Sequence, residues 1–380
     1  MWYNIRYVLS NPGIFYLRVF YDIIDSVGRV AELVDALDSK SGSFTGVRVR
    51  FPPRPPRTDK MPNLLTHTYF ARDVLQKSSP KLKKSLKDAE HIYELFSFSF
   101  DPFFVYEKFP LREEIGDYLH TNCIDDFFLN FIREIKERDL QKNPTVLAAL
   151  YGHLTHYILD SKCHPYIIYK TGQYVKGDKS TRKYAGLHSK MELEIDAYMY
   201  EQREKKKFSD YKMFTLVSRH KLNKTLVEVL DSTYEETFGI AKGGEKYQHA
   251  LNILYLGMKY ITKDKRGLKK AFYKRIDRIT PRKSIKIEYF SYHVDSIDMS
   301  IFNESHKEWC YPTDNTIRKN QSFFEIYDES LDRCVKLFEA TEQFLNDKIT
   351  EKRYKEVLGD ISYLSGLSWR DNRDFQYFEF

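Results

Sequence analysis

The chain has 380 residues, of which 42% are hydrophobic and 30% charged, and its formal net charge is +7 at pH 7. This balance predicts a soluble folded protein. The sequence has no run of about 18 apolar residues, the length that a transmembrane helix needs. Four cysteines without a C-x-x-C spacing argue against a thiolate zinc site and a disulfide scaffold. We expect reduced thiols and, because no signal peptide is recognisable, a cytoplasmic protein.

Residues 1–60 differ from the rest of the chain. Part of this segment resembles the translation of a bacterial leucine-type tRNA gene, with the D-arm giving residues 34–36 and the T-arm giving residues 49–52. We infer a misplaced gene start and a bacterial protein that begins at Met61. Residues 1–60 would then be a disordered or spurious extension, and 61–380 the folded domain. A genuine flexible extension is the alternative.

From Met61 onward, apolar residues recur at three- and four-residue steps, which predicts helices. The predicted helices span 64–76, 82–88, 123–138, 145–160, 187–206, 213–219, 224–237, 246–260, 322–346 and 354–361. Residues 145–160 are apolar nearly all round, which indicates a buried central helix. Residues 91–104 and 171–185 are expected to be irregular, and 285–292 to be a short strand or extended segment. The fold class is therefore all-α, a single many-helix bundle.

A stretch from 153 to 192 contains metal-ligand spacings. His156, Asp160 and His164 stand four residues apart, so on a helix they share one face. His188 and Glu192 form a second pair of this kind. Imidazole nitrogen and carboxylate oxygen are the usual zinc ligands in hydrolytic sites. One such pair is more often a surface pair or a helix cap, but two clusters together predict a metal site.

Three further residues, each taken alone, do not indicate a functional site. His67 and His120 are helical histidines, and Asp101 precedes a proline, which is ordinary turn chemistry. A polynuclear zinc site needs about three protein ligands per ion, with carboxylates that can bridge. The central cluster supplies too few, and these three residues would complete the set for two or three zinc ions.

The ordered series resembles the zinc-dependent phospholipase C family, whose fold the S1/P1-type nucleases share. The eight residues that carry the resemblance are His67, Asp101, His120, His156, Asp160, His164, His188 and Glu192. The resemblance implies an all-α bundle with a polynuclear zinc cleft and a phospholipase C-type hydrolase with two to three Zn²⁺. By the family pattern the zinc ligands divide into His120, His156 and Asp160; His164, His188 and Glu192; and His67 with a bridging Asp160.

In this family pattern Asp101 is the catalytic residue, a general base or water-orienting group between the metals. The implied reaction is attack of a metal-bridged hydroxide on a phosphodiester, with the third zinc steadying the leaving alkoxide. The expected substrate is a phospholipid or another small phosphoester.

The chain departs from the family at two points. His164 stands closer to Asp160 than the family spacing, so His153 is a rival ligand. The family's third zinc is also held by an N-terminal tryptophan, which this chain lacks near His67. A start at Met61 followed by its removal would leave Pro62 as a free N-terminus there.

A second constellation places Asn303, His306, Trp309 and Pro312 at three-residue steps, which predicts one side of a helical or turn segment. One interpretation is packing of Trp309 against the bundle. The other is a substrate wall beside the zinc cleft, lined by His306 and Trp309.

Two other functions stay open. Aromatic platforms beside the zinc ions would favour bases, and so a nuclease or nucleotidase on the same scaffold, whereas an apolar groove would favour the acyl chains of a phospholipid. A non-enzymatic helical protein with a structural metal is the third hypothesis. No nucleic-acid motif is present. Basic runs at 81–84, 205–207 and 263–270 predict solvated helix faces or, alternatively, transient contact with an anionic membrane surface or a polyanion.

Overall fold

The computed structural model describes residues 64–105, 113–175, 178–217, 221–279 and 286–380. The inferred start at Met61 and the Pro62 amine lie outside these residues. Within them, no helix combines the length and the apolar character needed to cross a bilayer.

The prediction of an all-α fold is confirmed, because the described chain is a set of packed helices with a single two-stranded sheet. The elements are α1 (Leu64–Lys77), α2 (Pro80–Leu86), α3 (Glu90–Phe96), α4 (Glu113–Thr121), α5 (Ile124–Glu137), α6 (Pro144–Thr171), α7 (Leu187–Glu204), α8 (Lys224–Phe238), α9 (Gly243–Gly257), α10 (Leu268–Ile279), β1 (Trp309–Tyr311), β2 (Asp314–Lys319), α11 (Phe323–Leu345) and α12 (Glu351–Leu358).

Helix α6 is the centre of the bundle. Asn143 caps it, with its side-chain oxygen accepting the backbone N–H groups of Thr145 and Val146, and Pro144 occupies the first turn, where no N–H is missed. Nearly every side chain along the helix is buried, because α1, α3 and α11 pack around it. A helix covered on all sides must be apolar on all sides, as residues 145–160 are.

The helix runs further than its sequence predicts, through Pro165 to Thr171. Proline has no N–H, so the carbonyl of Ser161 loses its helical donor. Gly366 lies against this point with φ of +67°, and a Cβ there would stand 2.9 Å from the Ser161 oxygen. Neighbouring backbone therefore fills the space beside the proline.

The short strand or extended segment predicted over 285–292 is not formed by Ile287–Phe290, which is a 3₁₀ turn. The carboxylate of Asp277 in α10 accepts the N–H groups of Ile287 and Glu288, which curls this segment into a turn. Residues 91–104 are more regular than predicted, because α3 and a 3₁₀ turn at Asp101–Val105 occupy most of them.

The segment from Asn303 to Pro312 is not helical: turns lie at 304–305 and 312–313, and Trp309–Tyr311 between them is the first strand of a β-hairpin. Trp309 pairs with Lys319 across the antiparallel strands. The Asn303 side-chain amide bonds the Gln321 carbonyl, which closes the open end of the hairpin. Trp309 is buried against Tyr166 of α6. Its packing against the bundle therefore matches one of the two interpretations.

Asp196 ties α7 to the first turn of α1. Its carboxylate accepts the N–H and the hydroxyl of Thr66 at 2.8 and 2.6 Å, and the N–H of Leu65 at 3.3 Å. Burial raises the pKa of Asp196 to about 6, although these hydrogen bonds oppose the rise. This contact sets the position of His67, the next residue in α1, relative to α7.

We expect Asp196 to make stability fall as pH rises. Its folded-state pKa lies above the ordinary 3.8, so between about pH 4 and 6 the folded protein binds more protons than the unfolded chain. In Asp196→Asn this titration is absent. The wild-type free energy of unfolding minus that of the variant should therefore decrease by on the order of 2–3 kcal/mol from pH 4 to pH 7.

Urea unfolding of both proteins with chelator present measures this difference. A difference that does not change with pH would contradict the assignment.

Candidate metal centre

The structure brings all eight residues of the ligand series together. They form three groups, and within each group the donor atoms lie within 4.8 Å of one another and the residues are buried. The groups are Asp101, His120 and His156; His67, His156 and Asp160; and His164, His188 and Glu192.

The first group joins α4, α6 and the 3₁₀ turn after α3. Asp101 Oδ1 lies 3.2 Å from His120 Nε2 and 3.7 Å from His156 Nε2. The family pattern assigns Asp101 to catalysis and Asp160 to the ligands of His120 and His156. In this structure Asp101 Oδ1 lies at distances from His120 Nε2 and His156 Nε2 that a third metal ligand could have.

Backbone carbonyls orient both imidazoles of this group. His120 Nδ1 donates to the carbonyl of Gly116 at 2.7 Å, and His156 Nδ1 donates to that of Ser97 at 3.0 Å. With Nδ1 bonded to a carbonyl, each ring turns its Nε2 inward, and these two nitrogens face each other at 3.4 Å. Although burial opposes it, the carboxylates of Asp160 and Asp101 raise the pKa of His156, and a bound metal ion would take the place of that proton. The arrangement fits a metal ion.

Asp160 is central to the second group. Its two oxygens lie 3.2 Å from His67 Nε2 and 3.0 Å from His156 Nε2, and Oδ2 is also 3.5 Å from His164 Nδ1. One carboxylate thus touches members of all three groups, as a bridging ligand must. The buried Nδ1 of His67 has no hydrogen-bond partner among the described residues.

The third group lies between α6 and α7. Glu192 Oε1 is 2.9 Å from His188 Nε2 and 3.4 Å from His164 Nε2. His164 Nδ1 donates to the carbonyl of Tyr363 at 2.8 Å, while the N–H of Tyr363 bonds the carbonyl of His120. One residue near the C-terminus therefore fastens two ligand-bearing helices.

The carboxylates of the centre are compensated by imidazoles. Burial alone would raise the pKa of Asp160, but His156, His164 and His67 outweigh it and hold that pKa well below its ordinary value. Burial opposes the same effect at Glu192, whose pKa His188 and His164 lower to about 2.

No described lysine or arginine pairs with either of these carboxylates or with Asp101. Buried carboxylates among imidazoles, with no lysine or arginine beside them, need further positive charge, and two or three divalent ions match the donor set. The residues therefore fit zinc.

His153 does not point into this cluster. Its Nδ1 bonds Ser99 Oγ at 2.8 Å, and its ring is enclosed by Phe96 and Phe127. Burial, with a smaller effect of His156, lowers its pKa well below the ordinary value, so the ring is neutral. Of the two rivals, His164 is the one beside Glu192.

The residues predicted as a substrate wall lie elsewhere. The pocket at the centre is lined by His67, Asp160, His164, Glu192 and by Thr66, Leu159, Cys163, Ile167, Ile195 and Phe323. His306 is exposed and pairs with Glu325, and Trp309 borders a separate cavity with Tyr169 and Arg318. Neither lines the pocket of the centre.

Sequence reasoning also missed several contributors. The carbonyls of Ser97, Gly116 and Tyr363, which hold the imidazoles, carry no side-chain signal. The apolar pocket residues could have been suspected only on α6, where Leu159 precedes Asp160 and Ile167 follows His164.

We expect the variants His164→Ala and His153→Ala to distinguish a metal ligand, His164, from a residue that packs in the core, His153. His164→Ala should lose about one zinc per chain after dialysis. His153→Ala should keep its zinc but lose about 2–4 kcal/mol of stability, because it leaves a cavity among aromatic rings. Atomic emission and urea unfolding measure the two effects. Equal zinc loss in both variants would refute the distinction.

Comparison with known proteins agrees with this geometry. The family model described as zinc-dependent phospholipase C matches residues 66–244, which include all eight residues of the centre. No curated protein and no solved structure matches the chain significantly. The family is made of hydrolytic enzymes. The match covers residues 66–244 and, together with the three donor groups, supports a zinc-dependent phosphoester hydrolase.

Proposed function

We propose that the protein is a phospholipase C-type enzyme that hydrolyses a phosphodiester bond of a phospholipid. The observation that carries the proposal is the buried cluster in which His156 belongs to two donor groups and Asp160 contacts all three. A polynuclear site with a shared carboxylate suits in-line displacement at phosphorus, because the attacking and leaving oxygens are stabilised together.

The proposed ligands are the members of the three groups other than Asp101: His67, His120, His156, Asp160, His164, His188 and Glu192. When bound, the zinc ions lower the pKa of water and neutralise the phosphate charge. The chain's own contribution is orientation. Three backbone carbonyls hold His120, His156 and His164 with Nε2 toward the site, so the donors need little rearrangement to bind.

We assign Asp101 two tasks. Its Oδ1 contacts His120 and His156 and helps keep both rings in place. Its carboxylate is buried next to the donor atoms, where it can also orient the attacking water and accept its proton. An amide at this position keeps the shape but cannot take the proton and carries no charge.

The pocket lining favours a lipid over a nucleotide. Three of its apolar side chains are aliphatic, Leu159, Ile167 and Ile195. The aromatic residue, Phe323, is already engaged with Phe302 and Tyr327. Bases need exposed aromatic faces for stacking, whereas acyl and glyceryl carbons pack on aliphatic walls.

Two site variants and one control test the proposal. Asp101→Asn and His156→Ala should lower hydrolysis of a short-chain phospholipid on the order of a hundredfold or more, since each removes a charge or a donor from the centre. Asp125→Asn is the control, because Asp125 accepts a hydrogen bond from Trp369 and belongs to none of the three groups. Product release and zinc per chain are measured for each protein.

The same assay with single-stranded oligonucleotides and nucleoside monophosphates as substrates tests the rival function. Faster turnover of either than of phospholipid would replace the lipid assignment. Full activity in both site variants would overturn the site, and a zinc-bound wild type without any phosphoesterase activity would favour a structural metal.

A further inference from the structure

Helix α10 exposes apolar side chains that most of the described surface does not show. The large hydrophobic residues exposed in the described chain are Leu256, Tyr260, Leu268, Phe272, Ile279, Met299 and Phe380. Five of these lie between 256 and 279. On α10 itself Leu268 is 69% exposed, Phe272 53% and Ile279 74%. Contiguous exposed apolar side chains of this kind mark interaction sites.

The three side chains of α10 form one stripe. At about 100° per residue, positions 268, 272 and 279 lie within roughly 40° of each other around the helix. Tyr273 and Asp277, on the opposite side, are buried. The Tyr273 hydroxyl bonds the carbonyl of Ile261, and Asp277 holds the 3₁₀ turn that follows. The helix is therefore anchored by one face and presents the apolar stripe on the other.

Cations greatly outnumber anions in the segment that carries the stripe, and the exposed carboxylates Asp295 and Asp210 are each paired with one of its lysines, Lys270 and Lys265. Residues 256–279 contain nine Lys and Arg against two Asp. Both aspartates are buried and bonded inward, Asp264 to Ser291 and to the N–H of Lys270. Five cations are exposed and form no ion pair with a carboxylate of the described chain: Lys263, Arg266, Lys274, Arg275 and Arg278.

We propose that α10 docks the protein on a bilayer that contains anionic phospholipids. The apolar stripe enters the boundary between headgroups and acyl chains, and the flanking cations meet lipid phosphates. A nucleic acid would use the cations but would gain nothing from exposed Leu268 and Ile279. The combination of both features fits a lipid surface best.

Two successive packing contacts connect α10 with the metal centre. α10 packs on the Ile287–Phe290 turn, and that turn packs on α7, which carries His188 and Glu192. Through this turn, α10 is joined to the helix that carries two residues of the centre. The proposal concerns binding by residues outside 66–244 and does not depend on the proposed catalytic function.

Vesicle co-sedimentation of the full chain tests it, with phosphatidylcholine vesicles and vesicles that contain 30% phosphatidylglycerol. Wild type should bind the anionic vesicles, less so at high salt. Leu268→Ser/Phe272→Ser/Ile279→Ser and Arg275→Glu/Arg278→Glu should each reduce partitioning by roughly tenfold or more. Lys84→Glu/Lys87→Glu is the control, because it changes net charge equally at exposed lysines of another surface and should bind as wild type does.

Zinc content, thermal melting and hydrolysis of a water-soluble phosphoester should be unchanged in all variants, which separates loss of docking from loss of folding or catalysis. In Phe272→Trp, the emission of the new tryptophan should shift to the blue on vesicle binding. Docking is refuted if wild type ignores anionic vesicles, if the serine variant binds as well as wild type, or if the control loses as much. Retention on heparin without vesicle binding would point to a polyanion instead.

Discussion

The carboxylate of Asp160 is the contact on which the centre depends. It lies buried within 3.5 Å of nitrogen atoms from three histidines, one on α1 and two on α6. A buried anion is costly unless cations or hydrogen-bond donors surround it. The imidazoles lower its pKa, and bound zinc would complete the compensation. Because Asp160 sits mid-helix in the most buried element, the bundle must pack around a polar core that is complete only with metal.

Backbone atoms do much of the positioning. Ser97, Gly116 and Tyr363 each use a carbonyl to hold an imidazole, so the rings face inward before metal binds. Tyr363 lies far along the chain from the family segment, yet it bonds both His120 and His164. The region after residue 244 therefore belongs to the centre as support, although it supplies none of the eight donors.

The metal centre and the proposed docking surface lie in different parts of the molecule and depend on different interactions. The centre is buried, and its charges are balanced at short range by imidazoles. The α10 surface is exposed, and its excess positive charge acts over roughly the Debye length at physiological salt. Packing through the Ile287–Phe290 turn joins α10 to α7. This division would let a lipid surface recruit the enzyme without altering its ligands.

The sequence by itself determined most helices and the all-α class and predicted the series of candidate ligands, because spacings of three and four residues report a helix face directly. Tertiary structure decided what local spacing does not encode. It places the His153 ring among aromatic side chains and directs His164 toward Glu192, although both residues lie on α6. It placed Trp309 in a hairpin on α6, and it curled 287–290 around Asp277. It also carried α6 past Pro165 where Gly366 packs. The positions of His153, His164 and Gly366 depend on partners remote in the chain, and even the contact of Asp277 with Ile287, ten residues apart, has no periodic signal in the sequence.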